Sequence, residues 1–109
     1  MADVLGSFEQ VVLLAVLRLR DEAYGRAIFS EVQDRLRRDI AVGAVHATLV
    51  RLEKKGMLSS RVESGTSIRS GRPRRYYSIQ AGGVRALNEA RKTFTDIWRG
   101  FRVPIAERA

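Results

Sequence analysis

The hydrophobic periodicity of the chain changes at Gly56, and this change constrains the fold more than any other feature of the sequence. Before Gly56, apolar residues recur every three or four positions, as in helices that bury one face. After it, two short runs alternate with a period of two, as in strands, and a final stretch returns to helical spacing. This order predicts three helices, a two-stranded hairpin and a last helix.

The first predicted helix covers Ser7 to Leu19, and Ser7 is expected to cap it. Its predicted buried face consists of Leu5, Phe8, Val12, Ala15, Val16 and Leu19. Further amphipathic patterns predict a second helix over Tyr24 to Arg37 and a third over Ala44 to Lys55. Because only Asp39 to Gly43 connect these two helices, the pair indicates a helix-turn-helix.

The hairpin is predicted from two extended runs, one with Leu58 and Val62 on a shared face and the other with Tyr77 and Ile79. Between them, Glu63 to Pro73 is rich in Gly, Ser and Arg and has too few apolar residues to form a core. A polar hairpin tip of this kind is typical of a wing.

The last helix is predicted over Ala81 to Phe101, with Pro104 ending it. It carries an apolar stripe of Val84, Leu87, Phe94, Ile97, Trp98 and Phe101. The earlier helices can pack on one another, so the simplest cover for this stripe is the same helix of a second subunit. We expect a homodimer, and the sequence leaves a higher oligomer open.

The composition limits the class of protein. A chain of 109 residues, 45% of them hydrophobic, is expected to form one compact domain. It has no cysteine, which excludes disulfides, thiolate metal sites and a cysteine nucleophile. The longest apolar run, Val11 to Leu17, is far shorter than the roughly 20 residues of a bilayer span, and no signal peptide is recognised. We therefore predict a soluble, cytoplasmic protein without a membrane partner.

Positive charge is concentrated in the middle of the chain. The formal net charge is +8, and residues 43–80 hold eight Lys and Arg against two acidic residues. That segment contains the third predicted helix and the hairpin. A distribution of this kind favours a polyanionic partner.

Four stretches together resemble the PadR-like transcriptional regulators. They are LGSFEQVVLLAVLRL (5–19), AYGRAI (23–28), TLVRLEKKGML (48–58) and GRPRRYYSIQAGG (71–83). In order and spacing the resemblance covers roughly Leu5 to Ala90. It implies a mostly α fold with a small β wing, in which a winged helix-turn-helix DNA-binding region (1–80) precedes a C-terminal dimerisation helix (81–109). It also implies a repressor that acts on double-stranded DNA at a near-palindromic operator.

In the family that this chain resembles, the third helix enters the major groove and the wing contacts the flanking backbone. Arg51 is the expected base reader, because arginine can form paired hydrogen bonds to guanine, and Lys54 and Lys55 can neutralise phosphates. The full set of expected DNA contacts is Ala44, His46, Ala47, Arg51, Lys54, Lys55, Arg61, Arg69, Arg72, Arg74 and Arg75.

The sequence departs from the family pattern at the start of the third helix. Ala41, Ala44 and His46 stand where the family commonly has a Ser or Thr cap, another Thr and a Tyr. Val50 and Gln80 likewise replace a usual Tyr and Thr. We expect either a different target sequence or a weaker specificity.

Trp98 has two interpretations. A lone tryptophan on a dimerisation helix is usually part of the interface. In some small PadR-like members, however, aromatic residues on this helix sandwich flat hydrophobic compounds, and Phe94, Trp98 and Phe101 resemble that arrangement. The resemblance thus implies a small hydrophobic effector as the alternative role.

Three other classes of function fit the sequence less well. An RNA-binding protein would share the charge but prefer structured RNA, and a protein-interaction module would bind DNA weakly beside a tight protein partner. An enzyme is not predicted, because the single histidine, His46, has no catalytic partner and no paired carboxylates or metal ligands assemble. No cofactor or metal is predicted either.

Overall fold

The computed structural model describes residues 5–64 and 73–106, and its helices follow the predicted order. Helix α1 (Ser7–Leu19) continues into one turn of 3-10 helix (Arg20–Glu22). Helix α2 (Gly25–Leu36) and helix α3 (Val42–Lys54) then form the helix-turn-helix.

The wing follows α3 as strands β1 (Leu58–Glu63) and β2 (Arg74–Ile79), which pair antiparallel. Helix α4 (Ala81–Trp98) comes directly after β2. Four helices and a two-stranded wing make a mostly α winged helix-turn-helix fold with an added C-terminal helix, which confirms the predicted fold class.

The core lies where the three N-terminal helices meet the base of the wing. Its largest buried side chains include Leu13, Ile28, Leu49 and Leu52, and Tyr77 of β2 packs against them. The Tyr77 N–H donates to the carbonyl oxygen of Ala23 at 2.8 Å, and Tyr24 forms a β-bridge with Tyr76. Strand β2 is therefore fixed to the chain that enters α2.

The predicted cap of α1 is wrong by one residue. Gly6 is the N-cap and Ser7 is the first helical residue. The Gly6 N–H donates to Glu9 Oε1 at 3.1 Å, which is the half of a capping box that needs no side chain at the cap. Glu9 is consequently held against the start of α1.

Helix α3 begins two residues before the predicted Ala44, and α2 ends at Leu36, so the connection is Arg37 to Ala41 and lies two residues earlier than the predicted Asp39 to Gly43. Its N-cap, Ala41, is extended with φ −68° and ψ 131° and forms no side-chain hydrogen bond to the helix. The first turn closes through the Ala44 N–H, which donates to the Ala41 carbonyl oxygen at 3.0 Å.

Helix α4 ends at Trp98, so the prediction that it reaches Phe101 and is stopped by Pro104 is wrong. Gly100 takes φ +70°, a left-handed conformation that glycine adopts without steric cost. Phe101 lies on the non-helical segment that follows and does not continue the apolar stripe of the helix.

Strand β1 carries Leu58 and Val62 on one face, as predicted, but only its first residue is buried. Leu58 is buried, but Val62 on the same strand face is exposed, because β1 extends beyond the core towards the tip of the wing. No helix within residues 5–64 and 73–106 is both long enough and apolar enough to cross a membrane.

Candidate nucleic-acid interface

Helix α3 has a buried side and an opposite side that points outward. The buried side consists of Val45, Thr48, Leu49 and Leu52. Since an α-helix turns by about 100° per residue, the opposite side is an exposed row that we call the outer stripe: Gly43, Ala47, Val50 and Lys54. Apart from Lys54, the outer stripe is small and apolar. The other exposed polar side chains of α3 lie on its two flanks.

One flank of α3 is tied to α1 through Glu9, whose carboxylate is largely buried. Glu9 Oε2 accepts hydrogen bonds from Lys55 Nζ at 3.0 Å and from Arg51 Nε at 3.4 Å. Arg51 Nη2 also donates to Thr48 Oγ1 at 3.2 Å. The expected base reader, Arg51, thus lies on the side of α3 that faces α1, although half of its side chain stays exposed; its role stays a prediction.

These contacts keep Glu9 ionised. Burial of the carboxyl group raises its pKa, but the hydrogen bonds from the Gly6 N–H, Lys55 and Arg51 outweigh burial and hold the pKa of Glu9 below its usual value of 4.5. A carboxylate at neutral pH therefore offsets part of the positive charge on this flank.

The other flank of α3 faces a basic cleft between the start of α2 and the first residues of β2. The cleft has a volume of about 420 Å³. It is lined by Tyr24, Gly25, Arg26, His46, Pro73, Arg74, Arg75 and Tyr77. His46 of α3 therefore shares one cleft with arginines from α2 and β2, and the predicted contacts His46, Arg74 and Arg75 come together.

Arg26 is a residue of this cleft that the sequence analysis did not include among the DNA contacts. The amphipathic pattern of α2 marks it only as exposed. Its position in the first turn of the helix before α3 is the signal that could have identified it, because free backbone N–H groups at a helix start favour anions.

The two arginines of β2 are held by neutral groups. The guanidinium of Arg74 lies 4.1 Å from the centre of the Tyr24 ring, and Arg75 Nη1 donates to Ser60 Oγ at 2.9 Å. No carboxylate of the described residues lies within ion-pair distance of either. Both side chains are oriented while their positive charge stays available to a ligand.

Arg61 on β1 differs from the two arginines of β2 because it has a carboxylate partner. Its Nε donates to Glu63 Oε2 at 2.6 Å, and its guanidinium lies over the Tyr76 ring. Part of its charge is therefore offset within the wing. The remaining predicted wing contacts, Arg69 and Arg72, lie outside the described residues.

A second candidate surface is apolar and lies where α1 meets α4. A groove of about 980 Å³ there exposes Leu14 and Leu17 of α1 beside Val84, Phe94 and Trp98 of α4. Phe94 and Trp98 are 47% and 55% exposed, which is unusual for large apolar side chains unless a partner covers them.

The contribution of α1 to this groove was not predicted from the sequence. The uninterrupted run Val11 to Leu17 could have indicated it, because a helix that is apolar all round is covered on more than one side. Of the three aromatic residues that the resemblance implied for a ligand, Phe94 and Trp98 line the groove and Phe101 does not. Leu87 also lines it, whereas Ile97 is exposed outside it.

The fold and the basic face define a class of protein, the winged-helix nucleic-acid-binding proteins. The comparison with protein families makes the assignment specific, since residues 13–89 match the Transcriptional regulator PadR-like family. The chain belongs to this family, as the resemblance of its motifs indicated. It is therefore a DNA-binding regulator of transcription, and its family is one of regulators rather than of enzymes.

Solved structures agree with this assignment. The PadR family transcriptional regulator from Eggerthella lenta DSM 2243 is 30% identical over 84% of this chain and 77% of that chain, with a TM-score of 0.66. A PadR family transcription regulator from Clostridium difficile R20291 is 25% identical over 84% of this chain and 91% of that chain, with a TM-score of 0.68. RosR of H. salinarum shares the fold with a TM-score of 0.70. It is 18% identical over 94% of this chain and 84% of that chain. No curated protein matched the chain.

Proposed function

We propose that the protein is a cytoplasmic repressor that binds a near-palindromic operator as a homodimer. The observation that carries the proposal is the basic cleft beside the outer stripe of α3. With α3 in the major groove, Arg26, Arg74 and Arg75 would meet the phosphates that flank the groove. Residues 1–80 would form the DNA-binding region and residues 81–109 the dimerisation segment.

The homodimer is supported by the apolar face of α4 and α1. A second copy is the simplest cover for Val84, Phe94 and Trp98, because a two-fold axis brings the same face of each subunit together. The same axis would place the two α3 helices in successive major grooves, about 34 Å apart. Occupation of a promoter by this dimer would lower transcription.

The groove between α1 and α4 also supports release by a small hydrophobic effector. Ser7 and Gln10 of α1 line the groove, and Glu9 between them holds Arg51 of α3 and Lys55, which follows α3 directly. A compound that fits the groove only when α1 is displaced would therefore shift α3 as well. DNA affinity would fall by the ratio of the affinities of the compound for the two arrangements.

The DNA-binding proposal is tested by selecting bound fragments from the source genome with the purified protein. We expect enrichment of a site with two-fold symmetry, bound at least about a thousandfold more tightly than random duplex and weakened steeply by salt. A preference for structured RNA over every duplex would contradict the proposal and favour an RNA-binding function.

The role of the cleft is tested by the variant Arg26→Ala. Loss of one phosphate contact should weaken all duplexes to a similar extent and lower the slope of log affinity against log salt by about one. Arg85→Ala on the exposed surface of α4 removes the same charge outside the cleft and serves as the control. Equal salt slopes for both variants would show that DNA phosphates do not bind in the cleft.

The effector site is tested with planar aromatic compounds. Trp98 is the only tryptophan of the chain, so its fluorescence reports directly on the groove. Saturable quenching together with release of the enriched duplex is the expected result. Quenching without release would leave a binding site that has no regulatory effect.

A further inference from the structure

The centre of the outer stripe of α3 exposes methyl groups. Ala47 and Val50 are exposed, Val50 to 40%. Gly43 adds no side chain, and no neighbouring heavy atom lies within 4 Å of the position that its Cβ would take. The helix backbone can therefore approach a partner closely, and the centre of the stripe offers only apolar contacts.

The hydrogen-bonding side chains of α3 are held on its flanks. Arg51 and Lys55 contact Glu9, and His46 lines the basic cleft. Glu53 accepts a hydrogen bond from Ser60 Oγ at 2.8 Å on the side of the wing. Lys54 lies on the outer stripe, but near the C-terminal end of α3, so the middle of the stripe has no group that could pair with guanine.

Resting on the proposed function, we infer that Ala47 and Val50 recognise the C5-methyl groups of thymines in each operator half-site. The thymine methyl is the apolar group that a base pair exposes in the major groove. Ala47 and Val50 are separated by about 4.5 Å along the helix axis, and base pairs by about 3.4 Å. The two side chains therefore span one or two neighbouring thymines.

Deoxyuridine tests this inference, because it differs from thymine only by the missing methyl group. Each thymine of the enriched duplex is replaced singly, and the affinity of the full-length protein is measured. At one or two positions per half-site we expect a loss of about fourfold, which corresponds to burial of one methyl-sized group. At the other positions the affinity should stay unchanged.

The variant Val50→Ala links the effect to the proposed side chain. It shortens an exposed residue and should leave the fold intact, while the loss on deoxyuridine substitution disappears at one position. Val62→Ala on β1 removes the same atoms from another exposed valine and should keep the full deoxyuridine effect.

The outcomes separate this inference from the function on which it rests. A duplex that is strongly preferred but insensitive to every deoxyuridine substitution would overturn the inference and leave the repressor proposal standing. A deoxyuridine effect that survives in Val50→Ala and in Ala47→Gly would also overturn it. Failure to prefer any duplex over random DNA would overturn the proposed function and the inference together.

Discussion

Ala41 leaves the first turn of α3 without a side-chain cap, although its backbone is already in the conformation that a capping residue needs. A serine there could accept a hydrogen bond from a free N–H of that turn. The variant Ala41→Ser should therefore raise the free energy of unfolding by about 1 kcal/mol, as measured by urea denaturation.

The matched control is Ala47→Ser, which makes the same change at an exposed position beyond the first turn of the helix. There a hydroxyl has no capping role, and we expect a loss of up to about 0.5 kcal/mol from lower helix propensity. Similar effects of the two variants would show that capping is not what distinguishes them.

Glu9 gives the stability of the protein a pH dependence of known sign. Because the pKa of Glu9 is lowered in the folded state, its stabilising contribution is present above its usual value of 4.5 and is lost as the pH falls through the folded-state pKa. The variant Glu9→Gln should lower the free energy of unfolding by about 1–2 kcal/mol at pH 7, and the difference from the parent should shrink below pH 4.5.

The measurement is urea denaturation of both proteins at neutral and acidic pH. Glu89→Gln serves as the control, since Glu89 is exposed on α4 and forms no ion pair with the described residues. It should stay within about 0.5 kcal/mol of the parent. A constant difference between Glu9→Gln and the parent at all pH values would contradict the predicted contribution of the ionised carboxylate.

At the scale of elements, the position of α4 depends on close contact between its first turn and the base of the wing. A Cβ on Gly83 would lie 2.6 Å from the Met57 carbonyl oxygen and 2.8 Å from Ile79 Cγ1. The backbone oxygen cannot move away as a flexible side chain could. Gly83→Ala should therefore lower the melting temperature, by an amount equivalent to about 1–3 kcal/mol.

Gly43→Ala provides the comparison, because Gly43 is also helical but has open space around the position of its Cβ. Alanine favours helix more than glycine does, so this variant should be as stable as the parent or up to about 1 kcal/mol more stable. If both variants changed the melting temperature alike, steric contact at Gly83 would not be the cause.

At the scale of the whole molecule, the proposed dimer depends on the apolar face shared by α1 and α4. A charge at Phe94 would be tolerated by the single chain, where this side chain is half exposed, but would be buried in the dimer at a cost of several kcal/mol. Phe94→Glu should therefore sediment as a monomer while the parent sediments as a dimer.

Leu17→Glu should have the same effect, because Leu17 faces the same groove from α1. Val62→Glu places an equal charge on an exposed apolar residue of the wing and should stay dimeric. A dimeric Phe94→Glu variant would show that the subunits associate through another surface.

Local patterns were sufficient to predict the order of the elements. The spacing of apolar residues in α1 and α3, the alternation at Tyr77 and Ile79, and the glycine after α3 depend only on neighbours along the chain. They predicted the order of the wing and the four helices correctly, although the ends of α3 and α4 differ from the prediction. The four sequence motifs indicated the PadR-like family, and the match of residues 13–89 to that family confirmed it.

Contacts between distant residues could not be predicted in this way. Glu9 reaches Arg51 across forty-two positions, and Arg26 meets His46 and Arg75 only because α2, α3 and β2 pack together. Periodicity reports which side of a helix is buried but not which flank faces which neighbour. The direction of Arg51 and the basic cleft therefore follow from tertiary packing, since each depends on how separate elements are placed in space. The outer stripe, in contrast, lies opposite the buried side of α3 and follows from the periodicity of the sequence.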